Sequence, residues 1–349
     1  METGKDSFMT DIAIDLGTAN FKMYLDGTGI VVNEPSVIAV DAYTDRIVAI
    51  GREAYEMIGR TSDRIRVVKP MAGGVISDFS LTDAMIRHYL KQVSTSRVFM
   101  PRVVVTIPSG ATEVQKRAVV DAIAANGVRK ICLLEAPAAA AIGAGMDITR
   151  PHGSLVVVIG EGVSDAGVIS LNGLSASRSV PVAGAAFNEA IIKYARKKFD
   201  LLIGEQTAEE AKRAIGCAYP MRKLQTYMLK GKDLQNGLPT AVEMNSDQMM
   251  EALLEPAVKI IRMVQTALEE TPPELMTDIS HEGILLAGGG ALLNGFDQLL
   301  SKKTKMRVRV LDDPQNCVIL GAGHTLHAID KAKFDPKNGN RATPLIAYY

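Results

Sequence analysis

Asp15, Gly17, Thr18, Ala19, Asn20 and Lys22 fall in one short stretch, Asp11-Ile-Ala-Ile-Asp-Leu-Gly-Thr-Ala-Asn-Phe-Lys-Met-Tyr24, and together they carry the chemistry of a phosphate cradle. Gly17 and the small Ala19 let backbone N–H groups approach an anion. Thr18 and Asn20 add side-chain donors, and Lys22 adds a full positive charge. Asp15 stands where a carboxylate would hold a hydrated Mg²⁺ against those phosphates. Ile12 and Ile14 alternate with Ala13 and Asp15, so the stretch reads as strand, turn, strand. An ordinary hairpin with a polar tip has the same pattern, and the stretch alone leaves both readings open.

A second stretch repeats the device. Ser154-Leu-Val-Val-Val-Ile159 is followed by Gly160-Glu-Gly162 and by a second apolar run ending in Asn172-Gly173, much as the first ends in Asp26-Gly27. Gly160 and Gly162 are its candidate phosphate contacts. Two such hairpins from related domains would grip a nucleotide's phosphates from both sides.

These motifs run collinearly with Asn33-Glu-Pro-Ser-Val37, Pro101-Arg-Val-Val104, Ala138 to Gly145, Ile169 to Gly173 and Ala287-Gly-Gly-Gly-Ala-Leu-Leu293. From about Asp11 to Asp330 the chain resembles the MreB family of bacterial actins. The resemblance implies an α/β, actin-like two-domain fold, each domain a mixed five-stranded, ribonuclease H-like sheet plus a small subdomain, with a nucleotide cleft between. It assigns residues 1–32, 77–150 and 321–335 to subdomain IA and 33–76 to IB. Residues 151–186 and 252–320 fall to IIA, 187–251 to IIB, and 336–349 to a flexible tail. It further implies ATP or ADP with Mg²⁺ as cofactor, self-assembly into protofilaments, and work in cell shape or cell-wall morphogenesis.

Other residues gain a role only through that resemblance. Glu209 and Lys212 lie one helical turn apart and alone read as a surface ion pair; the resemblance makes them contacts to the adenosine ribose. Gly288, Gly289, Gly290 and Ala291 form the loop that would let adenine approach the backbone. Val98, Phe99 and Met100 sit between Arg97 and Arg102, and either fold under their loop or, as in MreB relatives, insert into the membrane. Burying them in the interface would contribute a few kcal/mol in all. Each arginine would add about 1 kcal/mol against anionic lipid, so stable attachment needs a filament's avidity.

The departures from the family pattern touch the nucleotide. The family carries paired Glu residues before the linker-helix proline, the second positioning the attacking water; here the pair is Glu135-Ala136. Val158 replaces the Asp that helps hold Mg²⁺, Glu161 a turn glycine, Val163 a threonine donor and Ala185 an Asp. No catalytic set is intact, the losses falling at Ala136 and Val158. Water positioning is typically worth about 10²- to 10⁴-fold, so turnover should be slow or absent. Glu161, if it points inward, opposes phosphate by like charge, and Lys22 offsets this. Nucleotide binding is therefore expected to be weak, or to proceed without hydrolysis.

Three classes follow: a structural subunit that assembles at the membrane or co-assembles with an active paralogue, an active filament in which Glu135 or Asp165 fills the missing roles, and a non-polymerising regulator. A sugar kinase is disfavoured, since no added sugar domain and no substrate base can be assigned.

The elements that must position these residues are legible in outline. Leu81, Met85, Ile86, Tyr89 and Leu90 predict a helix over 80–92 capped by Ser80, and residues 103–108 a buried strand. Residues 112–126 predict a helix with Val114, Ala118, Val119, Ala122 and Ile123 on one face, near a protofilament contact by resemblance. Helices are expected over 187–198, 248–268 and from Gly321 to Ala328, and a linker helix of small residues after Glu135.

Lys plus Arg equals Asp plus Glu at 39 each, so no global field draws nucleic acid. Cys132, Cys217 and Cys317 lack metal spacing and read as core residues of a reducing cytoplasm. No stretch reaches the roughly 18 apolar residues of a membrane span. The expected location is the cytoplasm, peripheral on the inner membrane, with Phe8 and Met9 too few to anchor alone.

Overall fold

The computed structural model describes residues 11–93, 101–128 and 130–328, and the backbone of 346–348. The chain divides into two compact units, Met1–Pro151 with Ser170–Leu174 and Asn316–Tyr349, and His152–Ile169 with Ser175–Gln315.

In the first unit, β1 (Ile12–Leu16), β2 (Asn20–Leu25) and β3 (Gly29–Pro35) form an antiparallel meander. β4 (Ile38–Asp41), β5 (Ile47–Ile50), α1 (Arg52–Glu56) and β6 (Ile65–Val68) make a small sheet of order β5-β4-β6 with its own core of Val37, Ala39, Ala49 and Ala54. A short hairpin, β7 (Met71–Ala72) and β8 (Val75–Ile76), leads to α2 (Phe79–Val93). The α2 cap is Asp78, whose Oδ1 accepts from the Leu81 N–H at 3.0 Å, and not Ser80.

β9 (Arg102–Ile107), α3 (Glu113–Ala124), β10 (Lys130–Glu135) and α4 (Ala136–Gly143) follow. Thr112 and Gln115 form a capping box on α3. Val119, Ala122 and Ile123 are buried, but Val114 is 80% exposed, because the first turn of α3 runs past the apolar stripe.

The second unit contains β11 (Ser154–Ile159), β12 (Ser164–Ser170) and β13 (Gly173–Val180) apart from their joining residues Ser170–Leu174, then α5 (Gly184–Phe199), β14 (Leu201–Leu202), α6 (Glu205–Ile215), β15 (Thr226–Asp233) and β16 (Pro239–Asn245). Then come α7 (Ser246–Glu269), α8 (Pro273–Glu282), β17 (Ile284–Ala287), α9 (Phe296–Thr304) and β18 (Val308–Val310). Its main sheet has the order β13-β12-β11-β17-β18, with β11 antiparallel to β12 and parallel to β17. β14-β15-β16 form a separate sheet. A core including Val157, Ile159, Phe187, Ile191 and Ile260 lies against these elements.

The chain closes in the first unit with α10 (Cys317–Thr325) and β19 (Ile346–Tyr348). α10 begins at Cys317, not Gly321, and its glycines serve packing. A Cβ at Gly321 would lie 1.8 Å from the Ala139 carbonyl oxygen, and one at Gly143 would lie 1.9 Å from that of Cys317. α4 and α10 therefore meet backbone to backbone, which is what the small-residue run of α4 permits. β19 pairs antiparallel with β10 and makes the sheet six-stranded, β19-β10-β9-β1-β2-β3. Five strands and a flexible tail were the expectation; β10 instead presents an open edge whose N–H and C=O groups the last strand pairs.

All three cysteines are buried, and among the described residues none is in a disulfide. Among the described residues no helix is long and apolar enough to cross a membrane.

Candidate functional site

The β1–β2 turn is held from several directions. Ser36 donates from Oγ to the Gly17 carbonyl at 2.7 Å and from its N–H to that of Ala19 at 2.9 Å. The Gly74 N–H donates to Thr18 Oγ1 at 3.0 Å, which leaves the hydroxyl proton for an anion, and Asn20 Nδ2 donates to Asn33 Oδ1 at 2.9 Å. A Cβ at Gly17 would lie 2.6 Å from the Asn20 carbonyl oxygen, so the turn closes only on glycine.

Asp15 pairs across the strands with Lys22, and Thr106 Oγ1 donates to Asp15 Oδ1 at 2.7 Å. Burial pushes the Asp15 carboxyl above its ordinary range, while the Lys22 charge and the Thr106 hydroxyl act in the opposite sense. Lys22 is itself buried and donates from Nζ to Asn316 Oδ1 at 3.0 Å.

In the second unit the Gly160 N–H donates to the Val163 carbonyl at 3.0 Å and closes the matching turn. The Gly184 and Ala185 N–H groups donate to the carbonyls of Gly160 and Glu161 at 3.1 and 2.8 Å, tying that turn to the head of α5. Glu161 bends the same way, since a Cβ at Gly184 would lie 2.2 Å from its Oε2. The positive end of α5 favours a carboxylate there. Val158 faces Asp165 across β11 and β12, but Asp165 is 1% exposed and accepts from Ser179 Oγ at 2.8 Å.

Glu209 and Lys212 are close partners, Oε2 to Nζ at 2.6 Å. Lys212 also donates to the Gly184 carbonyl at 3.1 Å, and Glu209 accepts from Arg213 Nε at 2.7 Å and Asn188 Nδ2 at 3.0 Å. Burial raises the Glu209 carboxyl, but the Lys212 charge and the hydrogen bonds from Lys212, Asn188 and Arg213 outweigh it and hold the group at about 2. The sequence reading missed Asn188. Its signal is a polar residue on the apolar stripe of a helix, one step from Phe187 and one turn before Ile191.

The glycine run after β17 has a packing reason of its own. Gly288 has φ 83°, and a Cβ there would lie 2.3 Å from the Ile159 carbonyl oxygen. One at Gly290 would lie 2.2 Å from Ile159 Cγ2. Only Gly289 faces room, its nearest neighbour being Gln315 Nε2 at 3.6 Å, and Ala291 is buried.

Glu135 caps α4 by position without a side-chain cap bond, and both it and Ala136 are half-buried. Among the described residues no group of three or more His, Cys, Asp or Glu side chains could hold a metal. Mg²⁺ on a nucleotide needs only one or two carboxylates besides phosphate oxygens, and Asp15 in the first turn is such a carboxylate, whereas Glu161 in the second turn rests at the head of α5. The donor set thus fits a metal–nucleotide through the first turn alone.

Val98, Phe99 and Met100 lie outside the described residues. Arg102 does not serve the role expected of it toward lipid. Its Nε donates to Asp11 Oδ1 and Oδ2 at 2.9 and 3.0 Å, Nη2 also pairs with Oδ2, and both side chains are largely buried.

Two units, each with a mixed sheet whose antiparallel leading pair is joined by a glycine turn, define an actin-like α/β protein. The family model described as MreB/Mbl protein matches residues 9–334. The chain is 46% identical over 332 residues to the cell shape-determining protein MreB of Escherichia coli K12, covering 93% of this chain and 95% of that protein. To the cell shape-determining protein Mbl of Bacillus subtilis it is 41% identical over 325 residues, covering 93% and 98%. The structure of MreB 5 of Spiroplasma citri bound to AMPPNP superposes with a TM-score of 0.89 at 34% identity, over 93% of this chain and 98% of that one, and the protein is also known bound to ADP. The chain belongs to the MreB/Mbl family.

Proposed function

We propose that this protein is a subunit of an MreB-like cytoskeletal filament that serves cell shape or cell-wall morphogenesis from the inner face of the membrane. Its nucleotide site binds ATP or ADP weakly and hydrolyses little or none. Support for binding comes from the pinned turn at Gly17–Asn20 and from the AMPPNP- and ADP-bound forms of the Spiroplasma relative. The contacts assigned to phosphate are Gly17, Thr18, Ala19, Asn20 and Lys22 in one unit and Gly160 and Gly162 in the other. Glu209 and Lys212 take the ribose, and Gly288, Gly289, Gly290 and Ala291 the base.

The observation that carries the loss of turnover is Val158. An aliphatic side chain stands one residue before the end of β11, where a second acid is needed, and the acid across from it, Asp165, is bound to Ser179 inside the sheet. Ala136 adds the loss of a water-positioning group. Mg²⁺, when bound, would neutralise phosphate charge, and Asp15 would hold it. A protein of this kind depends on neighbours for nucleotide-gated assembly, so co-assembly with a paralogue that keeps both acids follows. Membrane contact rests on Val98, Phe99 and Met100, with Arg97 as the remaining cation.

Phosphate release from Mg-ATP and electron microscopy with and without ATP test the reading together. Filaments indifferent to nucleotide, with no phosphate release, are expected. ATP-gated filaments with steady turnover would establish an active ATPase in its place, and absence of filaments a regulator.

A further inference from the structure

We propose that Asn188 is a positioning residue for recognition of the nucleotide sugar: from the buried face of α5 its amide holds the Glu209 carboxylate in the orientation that accepts a ribose hydroxyl. The inference rests on the nucleotide reading above and adds to it a residue and a specificity, ribose over 2′-deoxyribose.

Asn188 is 2% exposed, among Phe187, Ile191 and Ala195, which are buried on the same helix. Its Nδ2 donates to Glu209 Oε2 at 3.0 Å, yet its Oδ1 is buried with no hydrogen-bond partner among the described residues. A desolvated acceptor without a donor is a net cost to folding, one that an aliphatic side chain would avoid. The amide is therefore explained by its other half.

Among the described residues, Glu209 Oε2 is occupied by Lys212 and Asn188, whereas Oε1 takes Arg213 alone. Each carboxylate oxygen accepts two hydrogen bonds, so Oε1 keeps one acceptor site for a hydroxyl. The Arg213 side chain beside it is 76% exposed and that of Glu209 20%, so a ligand can reach the carboxylate. Asn188 and Lys212 anchor one oxygen from within and fix where the other points.

The test is equilibrium binding of ATP and of 2′-deoxy-ATP to the full chain and to Asn188→Leu, with thermal melts of both proteins. The wild type is expected to favour ATP by about tenfold or more, the factor that a single hydrogen bond to a charged group supplies. In Asn188→Leu the preference should fall to about twofold or less, through weaker ATP binding, with 2′-deoxy-ATP unchanged and the melting temperature no lower. If Asn188→Leu does not fold, Asn188→Ala is measured in the same way. An undiminished preference in the folded variant, or no preference in the wild type, would overturn the assignment. Failure of the wild type to bind either nucleotide would instead remove the nucleotide reading, and this inference with it.

Discussion

Asp15 and Lys22 lie directly opposite each other across β1 and β2, so the acid assigned to the metal and the cation assigned to phosphate occupy one face of the same strand pair. The pairing does not neutralise the cost of the acid, since burial still raises its pKa. Lys22 is meanwhile committed to Asn316 at the start of α10.

Asp15→Asn should therefore stabilise the nucleotide-free protein at neutral pH. A carboxyl whose folded pKa is raised costs stability once ionised. That cost grows as pH rises above the unfolded value of 3.8 toward the folded one, and it is absent below 3.8. Asparagine keeps the acceptor for Thr106 without the charge. Melts of both proteins should show the variant higher by a few degrees near neutrality, about 2–4 °C for each kcal/mol recovered. The gap should close as pH falls through the ordinary carboxylate range, while any Mg²⁺-dependent gain in nucleotide affinity disappears. A variant that melts lower at neutral pH would contradict the burial argument.

Glu161 should act on triphosphate affinity through Gly184. In the folded chain its carboxylate rests at the head of α5, and a side chain at Gly184 would displace it. Glu161→Gly removes one negative charge beside the second turn and should tighten ATP binding several-fold, most strongly at low salt. Gly184→Ala should weaken it. Titrations of the two variants moving in the same direction would show that the carboxylate is not what limits binding.

Restoring acids at the two lost positions should restore chemistry. Val158→Asp with Ala136→Glu is expected to raise phosphate release from Mg-ATP by about 10²-fold or more over the parent, with each single change giving much less. Val158 is 8% exposed and faces Asp165, so the new acid sits beside a buried one and the double variant should also melt lower. Turnover that stays at the parent's level in a folded double variant would locate the defect elsewhere.

What could be read in the chain beforehand was local. The Asp15 to Lys22 hairpin shows in alternation and turn glycines within one window, and the motif order carried the actin-like fold. Long-range partners decided the remainder. Asp11 and Arg102 are 91 residues apart, and nothing near either names the other. Gly321 reads as a helix start until α4 is placed against it, and Ile346–Tyr348 read as tail until the edge of β10 is known to be open. Asp78 and Ser80 are both good caps two positions apart, and only the position of the Leu81 N–H distinguishes them. Asn188 escaped because Glu209, its reason for being polar, lies on the next helix.

The glycine run after β17 separates packing from ligand contact one residue at a time. Gly290→Ala puts a methyl 2.2 Å from Ile159 Cγ2 and 3.1 Å from the Ile159 carbonyl, at the base of the second turn. Overpacking of that kind typically costs about 1–3 kcal/mol, so the melting temperature should fall by several degrees whether or not nucleotide is present. Gly289→Ala meets nothing closer than 3.6 Å and should leave the melt unchanged. If adenine lies on the backbone here, the same methyl intrudes on the base. Gly289→Ala should then lose affinity for ATP but not for inorganic triphosphate, which makes the phosphate contacts alone. Equal losses for both ligands would place the base elsewhere and leave Gly289 with no part in recognition.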